Sequence, residues 1–227
     1  MSVFKIELLQ KEKVADDAYL FVFEKPVDFN FSAGQYLEIK LNIDNPDDRG
    51  SARYFTIASS PSEENLMIVT RILDSTFKKK LVNLEIGEVV EMDGPYGNFI
   101  LDEKEGRKII FISGGTGITQ ARSMIIYAKA KKIGFKIQLI SSFRKKGDYF
   151  FEEEMADLND KKFSSIFFPD YSHEALAQQI NKNVTDIYKV VYYISGSGEW
   201  VLGAEALLKD MGVSADRIKF ENLDKNI

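Results

Sequence analysis

Cysteine is absent from the chain, and with it go a disulfide framework, a thiolate metal site, a cysteine nucleophile and a cysteine-held iron–sulfur cluster. Histidine is nearly absent too. The single one, His173 in "PDYSHEAL", leaves no imidazole set for a metal and is expected in a solvated loop near a helix start. Positive charge is in deficit, with 30 Lys and Arg against 35 Asp and Glu, which argues against general nucleic-acid binding. No apolar run approaches a membrane span, and the opening "MSVFKIELLQKEKV" alternates with charges and lacks a signal-peptide core. A cytoplasmic protein is the expectation. What the chain does have is 44% apolar residues in 227, enough for proper cores in two domains of about 100 to 130 residues each.

The first hundred residues read as short strands with turn punctuation. "AYLFVFEK", "QYLEIKL", "RYFTIAS", "NLMIVTRI" and "EVVEMDG" are β-branched and aromatic, split by Ala33-Gly34, "NIDNPDDRGS" and "SSPSEE". That pattern predicts an antiparallel barrel or sandwich. One helix interrupts it, "STFKKKLVNLEIG", where Ser75 or Thr76 can cap and Phe77, Leu81 and Leu84 share a face. From about Glu103 the pattern changes. "KIIFIS", "KIQLISS", "FSSIFF" and "VVYYIS" are nearly continuous apolar runs, followed in most cases by helical patterns such as "WVLGAEALLKDMG". Such runs are buried on both faces, as in a parallel sheet of βα units. The predicted division is therefore residues 1–102 and residues 103–227, joined through "LDEKEGRK", Leu101 to Lys108.

Ligands of parallel βα sheets bind beyond the carboxyl ends of the strands. After "KIIFIS" come Gly114, Gly115, Thr116, Gly117, Ile118 and Thr119; after "KIQLISS", Phe143, Arg144 and Lys145; after "VVYYIS", Gly196, Ser197 and Gly198; after the short "IKF", Glu221. Glycines, hydroxyls and cations thus gather at one edge, and a helix beginning near Ile118 adds its positive end, so the edge reads as a dinucleotide cradle. The spacing differs from G-x-G-x-x-G, and the glycines serve equally as tight connections. In the first domain, "ARYFTIASSP" offers Arg53 as a phosphate clamp, Tyr54 or Phe55 as an aromatic cover and Thr56 as a hydroxyl for a polar ring edge. The alternative is a plain strand in which Arg53 pairs with Asp47 or Asp48.

Both segments, in this order, resemble the ferredoxin–NADP reductase-like flavoproteins over essentially the whole chain. "RYFTIASSP" resembles that family's flavin motif Arg-x-Tyr-Ser/Thr, and "GGTGITQARSM" its nicotinamide loop Gly-Gly-x-Gly-Ile-Thr-Pro. "GPYGNF" resembles the turn closing its barrel, "FSAGQYLEIKL" its early Gly-Gln strand and "YYISGSGEWV" its Gly-Pro-x-x-Met-Val segment. The resemblance implies a six-stranded antiparallel flavin-binding β-barrel followed by an α/β nucleotide-binding domain. It implies that Arg53 binds the flavin pyrophosphate, that Phe55 lies against the isoalloxazine or ribityl region, and that Thr56 hydrogen-bonds near the flavin N5. Val69, Thr70 and Arg71, then Ser75, Thr76 and Phe77, would line the phosphate and adenosine part, with FAD favoured over FMN. Gly115, Thr116, Gly117 and Thr119 would hold the nicotinamide nucleotide, NADPH or NADH, with Gly196, Ser197 and Gly198 on the other wall. Arg144 stands where a ribose 2′-phosphate would lie, and Glu221 would keep the acidic role near the flavin.

The implied activity is hydride transfer from NAD(P)H to FAD. Electrons would then pass to a separate acceptor such as a ferredoxin, flavodoxin, oxygenase or haem protein, because the chain has no cysteines for a relay of its own. A flavin reductase that releases reduced flavin is the alternative, and a non-catalytic nucleotide- or flavin-binding subunit is a third reading. The chain departs from the family pattern at Phe55 for Tyr, Gln120 for Pro, Ser195 for Cys and Trp200 for Met, and it closes "FENLDKNI" without a terminal aromatic. Trp200 suits a core position as well as a cofactor wall. "FEEEM", Glu152 to Glu154, reads as an acid-rich first helical turn, and Lys78 to Lys80 as a solvated helix face.

Overall fold

The computed structural model of the chain describes residues 3–222. Six strands, β1 (Phe4–Ala15), β2 (Ala18–Phe23), β3 (Tyr36–Lys40), β4 (Ala52–Thr56), β5 (Leu66–Arg71) and β6 (Val89–Tyr96), pair antiparallel in the order β4-β3-β6-β1-β2-β5. The charged alternation of the opening segment is a strand signature: Ile6 and Leu8 point into the core while Lys5 and Glu7 do not. β1 is the longest strand, and it pairs β6 with its first half and β2 with its second across a register shift between Leu8 and Gln10. The end strands β4 and β5 approach each other and curl the sheet. Its interior holds Phe21, Phe23, Leu37, Ile39, Phe55 and Ile68. The helix α1 (Thr76–Asn83) adds Phe77 and Leu81 to that core, and Ser75 caps it by accepting from the Lys78 amide at 3.1 Å.

Five parallel strands follow: β7 (Ile109–Gly114), β8 (Ile137–Ser142), β9 (Phe163–Phe168), β10 (Val191–Gly196) and β11 (Ile218–Asn222), in the order β11-β10-β7-β8-β9. Every residue of β7, β8 and β10 is buried, as the continuous apolar runs require. The helices α2 (Ile118–Ala130) and α3 (Glu152–Asp157) lie toward one face, and α4 (His173–Asn183) and α5 (Gly198–Asp210) cover the other. The α2 face is shared with the barrel: Leu20, Val69, Phe99 and Leu101 join Met124, Phe143 and Phe150 in one apolar cluster. Antiparallel barrel followed by parallel α/β sheet is the architecture expected from the sequence.

An ion cluster around the buried Arg122 ties the two sheets to each other. Arg122 of α2 donates to the Ala58 carbonyl at 2.8 Å, to Glu63 at 2.9 and 3.0 Å, and to Glu154 at 2.6 and 2.7 Å. The acid-rich first turn of α3 is present, and Glu154 within it turns toward Arg122. Among the described residues no helix is long and apolar enough to cross a membrane. The closing segment, residues 223–227, lies outside the described residues.

Candidate functional site

β4 is an end strand of the six-stranded sheet, and its alternation sends "RYFT" to two sides. Register pairs Ile39 with Arg53 and Leu37 with Phe55 on the core side, and Glu38 with Tyr54 and Tyr36 with Thr56 on the other. Because the strand is an edge, one cleft can wrap around it and touch both sides. That cleft, of about 230 Å³, is lined by Arg53, Tyr54, Phe55 and Thr56, by Val69, Thr70 and Arg71 of β5, and by Ser75 at the start of α1. Tyr36, Arg49, Leu73 and Lys78 complete this wall. From the second unit Thr116 and Thr119 reach the same cleft. The two motifs that the sequence sets far apart therefore face each other across one space.

Arg53 is largely committed within the chain. It is 5% exposed, its Nη1 donates to the Arg49, Gly50 and Ala52 carbonyls, and its Nη2 meets Asp47 at 3.2 Å. The pairing with Asp47 that the sequence left open is thus present. Asp47 also accepts from the Thr76 amide at 3.0 Å, so a carboxylate of the chain sits where the first turn of α1 meets Arg53. Burial raises the Asp47 carboxyl, but the Thr76 and Arg49 amides and the Arg49 and Arg53 charges outweigh it and hold the group below its ordinary value.

Lys78 is the cation of this cleft without such a partner. The solvated helix face expected for Lys78 to Lys80 holds for Lys79, but Lys78 turns inward, donating to Thr70 Oγ1 and standing 4.4 Å over the Phe55 ring. No carboxylate pairs with it among the described residues. Burial first, then the neighbouring Arg53 and Arg49 charges, push its pKa down to about 7. A signal was available in the sequence: a lysine in the first turn of a helix opposes the macrodipole, an opposition that an anion bound beside it would relieve. Arg71 completes the cluster, paired with Asp17 and with Asp148 at 3.2 Å. An excess of cation beside aromatic side chains and hydroxyls fits a ligand carrying a pyrophosphate and a flat ring.

Other expected site residues stand outside this cleft wall. Phe77 lies behind Phe55 in the barrel core, 5.9 Å away, and Thr76 serves the start of α1. Arg144 is exposed on the loop after β8. Gly114, Gly115 and Gly117 form the turn between β7 and α2, facing Gly196, Ser197 and Gly198 at the end of β10. Gly117 is required by packing: a Cβ there would lie 2.2 Å from the Ser195 carbonyl oxygen, and Ser195 Oγ donates to the Gly117 carbonyl at 2.7 Å. Glu221 of β11 reaches the junction through Gln120, whose Nε2 donates to the Glu221 carboxylate and, at 3.4 Å, to the Gly34 carbonyl of the barrel. Gln120 is fully buried, so its amide ties the turn to both units where a proline could not. Burial, and then the Glu221 charge, hold the Tyr36 hydroxyl above its ordinary pKa. Tyr36, Tyr54 and Tyr96 pack against one another at 5.6–5.8 Å.

The arrangement of barrel, glycine turn and shared cleft defines a ferredoxin–NADP reductase-like two-domain fold. Its likeness to a ferredoxin NADP+ reductase from Neisseria gonorrhoeae, a structure with bound FAD and NADP, has a TM-score of 0.84 at 16% identity and covers 97% of this chain and 98% of that one. Residues 5–100 match the family described as the oxidoreductase FAD-binding domain. Flavohemoprotein A of Dictyostelium discoideum is 24% identical over 95% of this chain and 59% of its own length. The glycine betaine monooxygenase reductase subunit of Chromohalobacter salexigens is 30% identical over 67% of this chain and 40% of its own. The chain thus spans about three-fifths or less of these relatives.

Proposed function

We propose that the protein is a cytoplasmic FAD-dependent oxidoreductase that takes hydride from NADPH or NADH and passes electrons to a separate acceptor protein. The acceptor class is a ferredoxin, a flavodoxin, an oxygenase or a haem protein. In this reading residues 1–102 hold FAD and residues 103–227 hold the nicotinamide nucleotide. The observation that carries it is the single cleft in which Lys78, a half-buried cation with no carboxylate partner among the described residues, faces Thr116 and Thr119 of the glycine turn.

FAD supplies the exchange between two-electron hydride transfer and one-electron release. The chain's residues bind and orient. Lys78 and Arg71 meet the pyrophosphate, with Ser75 and the start of α1 beside it, while Arg53 keeps the loop 47–52 in place. Tyr54 and Phe55 supply apolar faces on the two sides of β4, and Thr56 presents its hydroxyl at the polar edge of the ring. Gly115, Thr116, Gly117 and Thr119 bound the nicotinamide side, and Glu221, held by Gln120, fixes an acid at the junction. Arg144 is the cation offered to a 2′-phosphate, so NADPH and NADH are both to be tested.

A second reading has a specific observation in its favour: Asp47 competes with a pyrophosphate for the α1 start, which suits a flavin reductase that treats flavin as a diffusible substrate. The flavin content of the purified protein separates the two. About one FAD per chain supports the electron-transfer reductase; a colourless protein that reduces added flavin with NAD(P)H replaces it with the flavin reductase.

A further inference from the structure

The groove between the two glycine loops is filled by aromatic side chains of the chain itself. Trp200, in the first turn of α5, is 1% exposed. Its indole lies against the bare α-carbons of both loops: a Cβ at Gly114 or at Gly196 would stand 2.6 Å from Trp200 Cδ1. One face of the indole is closed by His173, whose ring stacks at 5.2 Å and whose Nε2 lies 3.1 Å from the Trp200 carbonyl oxygen. His173 fills the space over Gly203, so this face is fixed. The solvated loop expected for His173 is therefore a packed helix start. Tyr171 packs on the indole as well, at 4.5 Å and 31°. Tyr171 is half-buried and comes from the segment after the edge strand β9, which reaches across the strand ends; Ser142 Oγ donates to the Asp170 carbonyl at 2.6 Å, and the Tyr171 ring edge stands 4.0 Å from the Cβ position of Gly115. The indole Nε1–H is buried without an acceptor among the described residues.

We propose that the Trp200 face is a stacking platform for one ring of the incoming nicotinamide nucleotide, and that Tyr171 occupies this platform until the nucleotide displaces it. The inference rests on the reading of the chain as a nucleotide-dependent reductase. The exchange is ring for ring, since the nucleotide replaces one stacked aromatic by another. The nucleotide also brings what Tyr171 does not, a carboxamide or phosphate oxygen for the unpartnered indole N–H. Trp200 and Tyr171 then act with opposite signs although they touch each other: Trp200 adds affinity, and Tyr171 subtracts it.

Trp200 is the only tryptophan, so the protein's tryptophan emission reports on the platform. The FAD-loaded protein is titrated with NAD+ and with NADP+, oxidised forms that move no hydride, and binding is followed by Trp200 emission and independently by equilibrium dialysis. The expected result is a saturable change in emission with at least one nucleotide. Tyr171→Ala binds that nucleotide about 2- to 10-fold more tightly, the size of one aromatic pair. Trp200→Leu, followed by dialysis, binds more weakly. Acrylamide quenching of wild-type Trp200 with and without nucleotide gives the same answer without a variant, because the exchange alters access to the ring. If the nucleotide binds and reduces the flavin while Trp200 emission and quenching stay constant, or Tyr171→Ala binds no more tightly, the platform is refuted and the reductase reading survives. If neither nucleotide binds and neither NADH nor NADPH reduces the flavin, both fall together.

Discussion

Replacing Lys78 by methionine removes the cation that meets no carboxylate and keeps most of its apolar stem over Phe55. The structure sets the direction of the effect and its pH window. Burial and the Arg53 and Arg49 charges hold the Lys78 pKa near about 7, well under the ordinary lysine value. In the flavin-free protein the folded state therefore sheds this proton before the unfolded chain does. Its contribution to stability is fully present above the ordinary lysine value and is lost as pH falls through about 7. A bound pyrophosphate reverses the preference by stabilising the ammonium. FAD should bind tightest below pH about 7, and above it each binding event takes up a proton, so the apparent Kd rises by up to about tenfold per pH unit. One hydrogen bond to a charged group is worth about 1.5–3 kcal/mol, so Lys78→Met should weaken FAD binding about 10- to 160-fold at low pH and abolish the pH slope. The assay is titration of apoprotein with FAD at several pH values, following quenching of flavin fluorescence. A wild-type Kd independent of pH from about 6 to 9, or an unchanged Kd in Lys78→Met at pH about 6, would refute the assignment.

Two further outcomes test the frame around the cleft. Arg122→Met leaves Glu63 and Glu154, each about one-third exposed, facing each other at the junction of the two sheets; a fully buried broken pair costs about 3–5 kcal/mol, and solvent screening of these carboxylates reduces the expected loss to about 1–3 kcal/mol. Denaturant unfolding of the flavin-free protein reads this directly, and a loss under about 1 kcal/mol would show that the cluster is only an exposed surface pair. Gly117→Ala forces the turn away from Ser195, since its Cβ meets a backbone carbonyl that cannot swing aside. Nucleotide affinity, measured by dialysis, should fall in this variant while FAD affinity holds, and an equal loss of both would mean that the turn serves the whole junction.

Period and residue type made most of the fold legible. "KIIFIS", "KIQLISS", "FSSIFF" and "VVYYIS" are β7, β8, β9 and β10 within a residue at each end; β7, β8 and β10 are buried on both faces and admit little but apolar side chains, whereas β9 is the edge strand and is only partly buried. The opening strand was harder to read, since its second half carries Lys11, Glu12 and Lys13 beyond a register shift. In "RYFT" the motif marks the right strand, but the division of its side chains between two faces follows from pairing with β3, which the motif does not contain. The partners of Lys78 and Gln120 escaped the sequence for the same reason: Phe55 and Glu221 reach them only through tertiary contacts. The glycine turn shows the limit most clearly. Its glycines look like a ligand's requirement, yet Gly117 answers to Ser195 and Gly114 to Trp200, residues about 80 positions further along the chain.

The central claim is that both cofactor motifs act on one cleft. It is tested most directly by anaerobic titration of the FAD-loaded protein with NADPH and, separately, with NADH, following the visible flavin band. Rapid bleaching by at least one donor is expected at about one equivalent of donor per FAD, with the faster donor naming the preference. A yellow protein that neither donor bleaches would contradict it.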